Sequence, residues 1–154
     1  MDYALYNDAI QSLAKDHSYA GTIDYPDCEA TLDNPLCGDR VTVQIRLDGS
    51  RIADIRCQVR GCLLCKASSS LLASCVRGRT LAGLIELRDC LARALAAPTE
   101  QDAEFLPLHE VFRPVRKHRS RHSCVLLPYD GAVQALSGMG LQTEDPVITK
   151  HIQG

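Results

Sequence analysis

Val41-Thr42-Val43-Gln44-Ile45-Arg46-Leu47, then Asp48-Gly49-Ser50, then Arg51-Ile52-Ala53-Asp54-Ile55-Arg56-Cys57-Gln58-Val59 is the stretch whose reading decides the fold. In its first segment apolar and polar residues alternate with period two. That places Val41, Val43, Ile45 and Leu47 on one face of a strand. The next three residues include a glycine able to take the positive φ of a tight reversal. The last segment alternates again and is expected to set Ala53, Ile55, Cys57 and Val59 on a common inward face. Upstream, Cys28 to Leu32 alternates weakly and supplies a further strand, so a half-buried antiparallel meander is the plain reading.

The flanks carry a different period. Leu5, Ile10 and Leu13 fall at helical spacing within the first 20 residues, before Gly21. Leu63 to Arg77 is rich in Ala, Ser and Leu and free of Gly and Pro, which predicts a helix ending at Gly78. Thr80 is placed to cap another, with Leu81, Leu84, Ile85, Cys90, Leu91 and Leu95 as its apolar stripe and Pro98 as its stop. Residues 98–123 read as loop with one short helix near 104–111, and they finish in a basic run. A last amphipathic segment starts around Cys124–Pro128 and carries Val133 and Leu136. This order predicts an α+β domain, a three-stranded antiparallel sheet with helices packed on one face. It is expected to span residues 1–138, with a loose tail over 139–154.

Composition narrows the function classes. The 154 residues are 45% hydrophobic, enough to bury a core, and 17 basic against 19 acidic side chains give a net charge of −2. A protein that coats nucleic acid through net charge is excluded, and no aromatics are interleaved with the basic residues. No apolar run approaches the ~18 residues of a membrane span. Met1-Asp2-Tyr3 offers no basic segment leading into an apolar one, so a cytoplasmic setting is expected, where thiols stay reduced. The eight cysteines then divide into apolar fillers and metal or catalytic groups.

Cys37 lies in Asn34-Pro35-Leu36-Cys37-Gly38-Asp39, a loop between two strands that presents its thiol at a sheet end with Asp39 two residues on. Cys62 follows the third strand and opens a helix, where backbone N–H groups and the helix dipole favour a thiolate. Cys124 also opens a helix, after Arg113, Arg116, Lys117, Arg119 and Arg121, in surroundings that lower a thiol pKa. The loops before the second strand and after the third could meet at one end of the sheet, so Cys37 and Cys62 are plausible neighbours. Turn chemistry alone is the competing explanation for the first loop, and a wet face or a docking patch for an acidic partner is the competing explanation for the basic run. Cys57, Cys75 and Cys90 fall at apolar positions and are expected to be fillers; the role of Cys28 is open. Cys62-Leu63-Leu64-Cys65 has the spacing of a redox dithiol, although the hairpin before it is unlike the strand–helix alternation of a thioredoxin-like fold. His17, His109 and His151 are expected at the surface. His122 is either a solvated member of the basic run or within reach of a metal.

Three motifs in this order, Asn34-Pro35-x-Cys37-Gly38-Asp39, Gly61-Cys62 with Ala67-Ser68-Ser69-Ser70, and Arg121-x-x-Cys124, resemble the iron–sulfur cluster assembly scaffold family of SufU, IscU and the NifU N-terminal domain. The resemblance runs from about Tyr6 to Leu136. The long interval between Cys62 and Cys124 makes the SufU branch the nearest. Two departures stand out: Ser123 occupies the place of the Lys or His that precedes the third cysteine, and Ala14-Lys15-Asp16-His17-Ser18-Tyr19 stands where the family has His-x-x-Asn-Pro-Arg-Asn.

The resemblance implies that Cys37, Asp39, Cys62 and Cys124 bind Zn²⁺ in the SufU manner or hold a nascent [2Fe–2S] cluster in the IscU manner. It implies a cysteine desulfurase of the SufS or IscS type as partner, with Cys37 as persulfide acceptor and Cys124 as second candidate. Arg121 would help dock the desulfurase, and apo iron–sulfur proteins would be clients. Such a protein is a sulfur relay or a non-enzymatic scaffold. The alternative from the residues themselves is a dithiol oxidoreductase using Cys62 and Cys65.

Overall fold

The computed structural model describes residues 7–139. The expected tail over 139–154 therefore lies, apart from Met139, outside the described residues, as do Leu5 of the first helix and His151. Three strands run β1 Cys28–Asn34, β2 Asp39–Asp48 and β3 Arg51–Arg60, paired antiparallel in the order β1-β2-β3. Val41, Val43 and Ile45 of β2 are wholly buried while Thr42, Gln44 and Arg46 face outward, so the alternation read from the sequence sets the core face. Asn34 pairs with Asp39 at the end of the first hairpin, and Val43 with Cys57 in the middle of the second.

On β3 the expected inward set needs one correction. Ile55 and Cys57 are buried and Val59 half-buried, but Ala53 is exposed and Ile52 is buried in its place. The register explains it. Arg46 pairs with Asp54 and Leu47 with Ile52, leaving Ala53 as the extra residue of a β-bulge, and every residue before a bulge changes face.

Helices cover the inner face. The first, α1 (Asp8–Lys15), is capped by Asn7, whose side chain accepts from the Ile10 N–H. It packs on α2 (Leu63–Cys75), which also meets β3 and the last helix, α4 (His122–Ser137). α4 lies across β1 and β2, and α3 (Leu81–Ala96) packs behind it. Thr80 caps α3 as expected, accepting from the Gly83 N–H. Its buried stripe is Leu81, Leu84, Leu87, Leu91, Ala94 and Leu95; Ile85 and Cys90 are only half-buried. Cys90 is thus no core filler, and its sulfur lies 3.3 Å from Arg93.

The segment read as loop is more ordered than expected. Pro107–Lys117 is 3-10 helical, with Arg119–Arg121 a further turn leading into α4. Part of the basic run fastens this segment: Arg113 pairs with Glu110 and Glu100 and stacks over Phe105, and Arg116 donates to the Ala97 carbonyl and to Glu100. His109 corrects a surface assignment. It is wholly buried, its Nε2 3.0 Å from the Tyr129 hydroxyl of α4. No described helix is long and apolar enough to cross a membrane.

Candidate functional site

The hairpin from β1 to β2 turns through Asn34-Pro35-Leu36-Cys37-Gly38. Asn34 closes it: its carbonyl accepts from the Cys37 and Gly38 N–H groups, and its side-chain Oδ1 accepts from Leu36 N–H at 3.1 Å. Gly38 takes φ +73 on leaving the turn. Cys37 is left half-exposed, while Asp39, the first residue of β2, is 1% exposed.

Asp39 ties the two loops together. Its Oδ1 accepts from the Cys62 N–H at 2.9 Å, satisfying a free donor at the start of α2, and its Oδ2 lies 3.6 Å from Cys62 Sγ. The carboxylate passes directly over Gly61. A methyl group there would stand 2.7 Å from Asp39 Cγ and 2.9 Å from its Cβ, closer than real contacts allow. Only glycine leaves room, which is a physical reason for Gly-Cys at this junction.

Cys124 arrives from the other side. It sits in the first turn of α4, fully buried, with its Sγ 3.1 Å from Cys37 Sγ. The Ser68 hydroxyl of α2 donates to the Val125 carbonyl, so the buried serines after Cys62 lock α2 against α4 at this level. Cys37 Sγ, an Asp39 oxygen and Cys124 Sγ lie within 4.8 Å of one another. Cys62 is outside that mutual set and joins it through Asp39. Arg121 Nη1 is 3.9 Å from Cys37 Sγ, and the Cys37 thiol faces the Ser120 carbonyl at 3.8 Å.

The protons are unevenly held. Cys124, placed to donate to Cys62, pulls the Cys62 thiol down to about 7, against the opposing effect of burial. The N–H groups of Cys65 and Leu64 face Cys62 Sγ and add to this without closing a cap hydrogen bond. Cys124 itself is held up strongly by that donation and by its burial. The pair thus favours a thiolate at the helix start and a proton on Cys124.

Other cysteines behave differently. Cys57 and Cys65 are fully buried, and burial pushes the Cys57 thiol up to about 12 and the Cys65 thiol higher still. His122 is neither a ligand nor a solvated surface group, because its Nε2 lies 2.9 Å from the Arg116 carbonyl and 3.1 Å from that of Val115. Asn34 is the site residue that sequence reasoning missed. It is 4% exposed, and its Nδ2 donates to Ser123 Oγ at 2.9 Å and faces Cys124 Sγ at 3.8 Å. Its one legible signal was its place before proline, which announces a turn and not a tether. Ser123 thus accepts a hydrogen bond from the first loop.

Comparison with known proteins gives this geometry a context. A family model described as "NifU-like N terminal domain" matches residues 5–125. Among curated proteins, the iron-sulfur cluster assembly scaffold protein IscU 1 of Archaeoglobus fulgidus is 32% identical over 98 residues, 63% of this chain and 64% of that protein. The zinc-dependent sulfurtransferase SufU of Bacillus subtilis is 24% identical over 98 residues, 64% of this chain and 67% of that protein. The chain thus spans just under two thirds of the length of the Archaeoglobus relative. The crystal structure of a nitrogen-fixing NifU-like protein (N-terminal) from Brucella abortus superposes with a TM-score of 0.81 at 29% identity, covering 89% of this chain and 95% of that one.

Proposed function

The chain belongs to the family of NifU-like N-terminal domains, and from that premise we propose that it serves iron–sulfur cluster assembly in the cytoplasm. It takes sulfane sulfur from a cysteine desulfurase and holds Zn²⁺ or a nascent [2Fe–2S] cluster between Cys37, Asp39, Cys62 and Cys124. Residues 1–138 form the working unit, and apo iron–sulfur proteins are its clients. Relatives named IscU and SufU both match, and the reading keeps both cargoes.

The observation that carries it is the convergence of two thiols and a carboxylate within 4.8 Å, with a third thiol 3.6 Å from that carboxylate. The donor set suits the metal. Zn–S bonds of ~2.3 Å in a tetrahedron put ligand atoms ~3.5–3.8 Å apart. The Cys62–Asp39 separation already meets that, and the Cys37–Cys124 separation of 3.1 Å needs a few tenths more, which the half-exposed Cys37 loop has room to give. Zinc, when bound, keeps its thiolate ligands deprotonated at neutral pH.

Sulfur transfer is thiolate exchange. The Cys37 thiolate attacks the outer sulfur of the desulfurase persulfide; a new S–S bond forms on Cys37 and the desulfurase cysteine leaves as thiolate. Cys37 is the acceptor because it alone of the three thiols stands in a loop at the surface, beside the Arg121 guanidinium, whereas Cys124 is fully buried. The oxidoreductase alternative fares worse. Cys65 is fully buried, so of the two thiols only the half-buried Cys62 is open to an external substrate. Incubation with a cysteine desulfurase and cysteine, followed by mass spectrometry of the intact thiols, tests the reading. Persulfide is expected on Cys37 and none in Cys37→Ala; sulfur loaded undiminished on another cysteine of that variant would overturn the assignment.

A further inference from the structure

The tip of the hairpin between β1 and β2 carries a side chain that the fold does not use. Leu36 is 81% exposed. Its N–H is held by Asn34 Oδ1 at 3.1 Å, and the Asn34 carbonyl accepts from the Cys37 and Gly38 N–H groups that follow. The turn therefore fixes the residue while its side chain stays in water. Proline and glycine are ordinary in such a turn; leucine is not. Two other large apolar side chains are exposed among the described residues, Tyr25 and Met139. Both lie at the opposite end of the molecule. Tyr25 precedes β1, whose 7 residues span ~20 Å, and Met139 follows α4, whose 16 residues span ~24 Å. At the site end the exposed apolar group is Leu36, and it is the chain neighbour of Cys37.

That adjacency matters in a sulfur transfer. Consecutive Cα atoms are ~3.8 Å apart, and a specific interface covers ~800 Å² of each partner, a disc of ~16 Å radius. A donor that brings its outer sulfur against Cys37 Sγ therefore covers Leu36 near the middle of that disc, where binding energy concentrates. The charge around the tip is one-sided. Arg121 Nη1 is 3.9 Å from Cys37 Sγ, and Arg119 is exposed on the same turn. Arg40 and Arg60, both exposed, stand opposite each other on β2 and β3, a like-charge pairing that costs a sheet stability. Asp33, 2.7 Å from Arg40, and the buried Asp39 balance half of this charge, in a chain whose net charge is −2.

We propose that Leu36 is the anchor by which the protein recognises its sulfur donor, entering an apolar socket rimmed by carboxylates beside the donor's persulfide. The inference rests on the sulfur-acceptor reading above and names the kind of surface that reading requires. Leu36 and Cys37 share one turn, so a partner that takes up the leucine delivers its sulfur to the thiol beside it and not to the buried Cys124. The arginines steer an acidic face toward the tip through contacts that salt screens, whereas the leucine contact is not screened. Burying an exposed leucine side chain is worth ~10–100-fold in affinity. Small thiol reagents have no socket and gain nothing from it, so Leu36 sets partner specificity and is not a catalytic residue.

The test uses the full chain with whichever of a SufS-type and an IscS-type desulfurase loads it at the lower half-saturating concentration, and it reads that concentration separately from the maximal rate. Leu36→Ala is expected to raise the half-saturating concentration ~10–30-fold and to leave the maximal rate within about twofold. Leu36→Met, of similar volume, is expected to stay near wild type. Leu36→Asp is expected to lose more than Leu36→Ala, since it sets a carboxylate against carboxylates. Alkylation of Cys37 by iodoacetamide should proceed at the wild-type rate in all three, which reports an intact turn. An unchanged half-saturating concentration in Leu36→Ala overturns the proposal, as does a loss confined to the maximal rate, alkylation that slows in step with transfer, or a Leu36→Asp that outperforms Leu36→Ala. A wild type that neither desulfurase loads strikes the acceptor reading and the anchor with it; a loaded wild type indifferent to Leu36→Ala strikes the anchor alone.

Discussion

Replacing Gly61 by alanine adds a single methyl group, yet it should disable the site, because the Asp39 carboxylate occupies the space the methyl needs. The added carbon would lie 2.7 Å from Asp39 Cγ and 2.9 Å from Cβ. Ordinary contact requires ~3.5–4 Å, so either the carboxylate or the β3–α2 junction must retreat by about 1 Å. Overpacking of this kind costs ~1–3 kcal/mol. A retreating carboxylate also gives up the Cys62 N–H, a hydrogen bond to a charged group worth about 1.5–3 kcal/mol, in a place where Asp39 is 1% exposed. The two costs are alternatives as much as addends, since moving Asp39 relieves the clash by breaking the bond. A net loss of ~2–3 kcal/mol is expected, roughly 5–12 °C in the midpoint of the metal-free chain. Displacing the carboxylate also displaces a proposed ligand, so zinc affinity should fall by ~10–100-fold.

Thermal unfolding of the metal-free variant and chelator competition for zinc are the assays. A double-mutant cycle makes the reasoning strict. In an Asp39→Ala background the overlap with Cγ and the carboxylate oxygen is gone and only the contact with Cβ remains, so Gly61→Ala should cost much less there than in the wild type. Equal costs in both backgrounds, or a wild-type melting point and zinc affinity for Gly61→Ala, would refute the account.

Two other expectations follow from buried polar groups. Burial, with Arg79 nearby, presses the His109 imidazole down to about 4 from 6.5. The unfolded chain therefore binds more protons than the folded one between those values, so stability is whole above pH 6.5 and falls as pH drops toward 4. Denaturant titrations at pH 7 and pH 4.5 should differ by ~2–3 kcal/mol in the wild type, and by clearly less in His109→Phe; an unchanged difference in that variant would remove His109 as the cause. Asn34→Ala should cost ~1–3 kcal/mol by denaturant unfolding and slow persulfide acceptance, because it frees the Cys37 turn from Ser123 and Cys124. Asn34→Asp keeps the acceptor for Leu36 N–H but not the donor, so it should recover the turn and not the tether, and full recovery would show the tether to be idle.

The sheet and most of the helices were legible because their signals are local. Val41, Val43 and Ile45 alternate without interruption, and Thr80 and Pro98 bracket α3. What escaped was non-local. The Ala53 bulge has no signature in Arg51–Val59, since it is a property of the pairing with Arg46 and Leu47. His109 looked like a surface group because its partner, Tyr129, is 20 residues on and on another element. The 3-10 order of Pro107–Lys117 depends on Arg113 and Arg116 reaching Glu100 and Ala97, contacts that only the folded chain brings into range. The cysteine loops stood out by their Pro and Gly turn chemistry. The distances among their sulfurs, and the place of Cys62 beside rather than inside the closest set, came from the packing of α2 and α4.

That packing divides the four proposed ligands by mobility. Asp39 begins a paired strand and is held by Cys62 N–H; Cys62 is fixed to the start of α2 by the same bond; Cys124 is buried in α4, which Ser68 joins to α2. Three of the four thus belong to one interlocked body. Cys37 alone hangs from a turn, half-exposed, held by Asn34 behind it and faced by Arg121 and Ser120 in front. A ligand set with three anchored members and one on a hinge keeps its cargo site in register while the fourth leaves to meet a partner's persulfide. A site made of four anchored thiolates would bind more rigidly and exchange sulfur less readily, since attack requires a thiolate that has left its metal. In the proposed function this asymmetry assigns each thiol its role: the hinged one to receive sulfur, and the anchored ones to keep the cargo site in place.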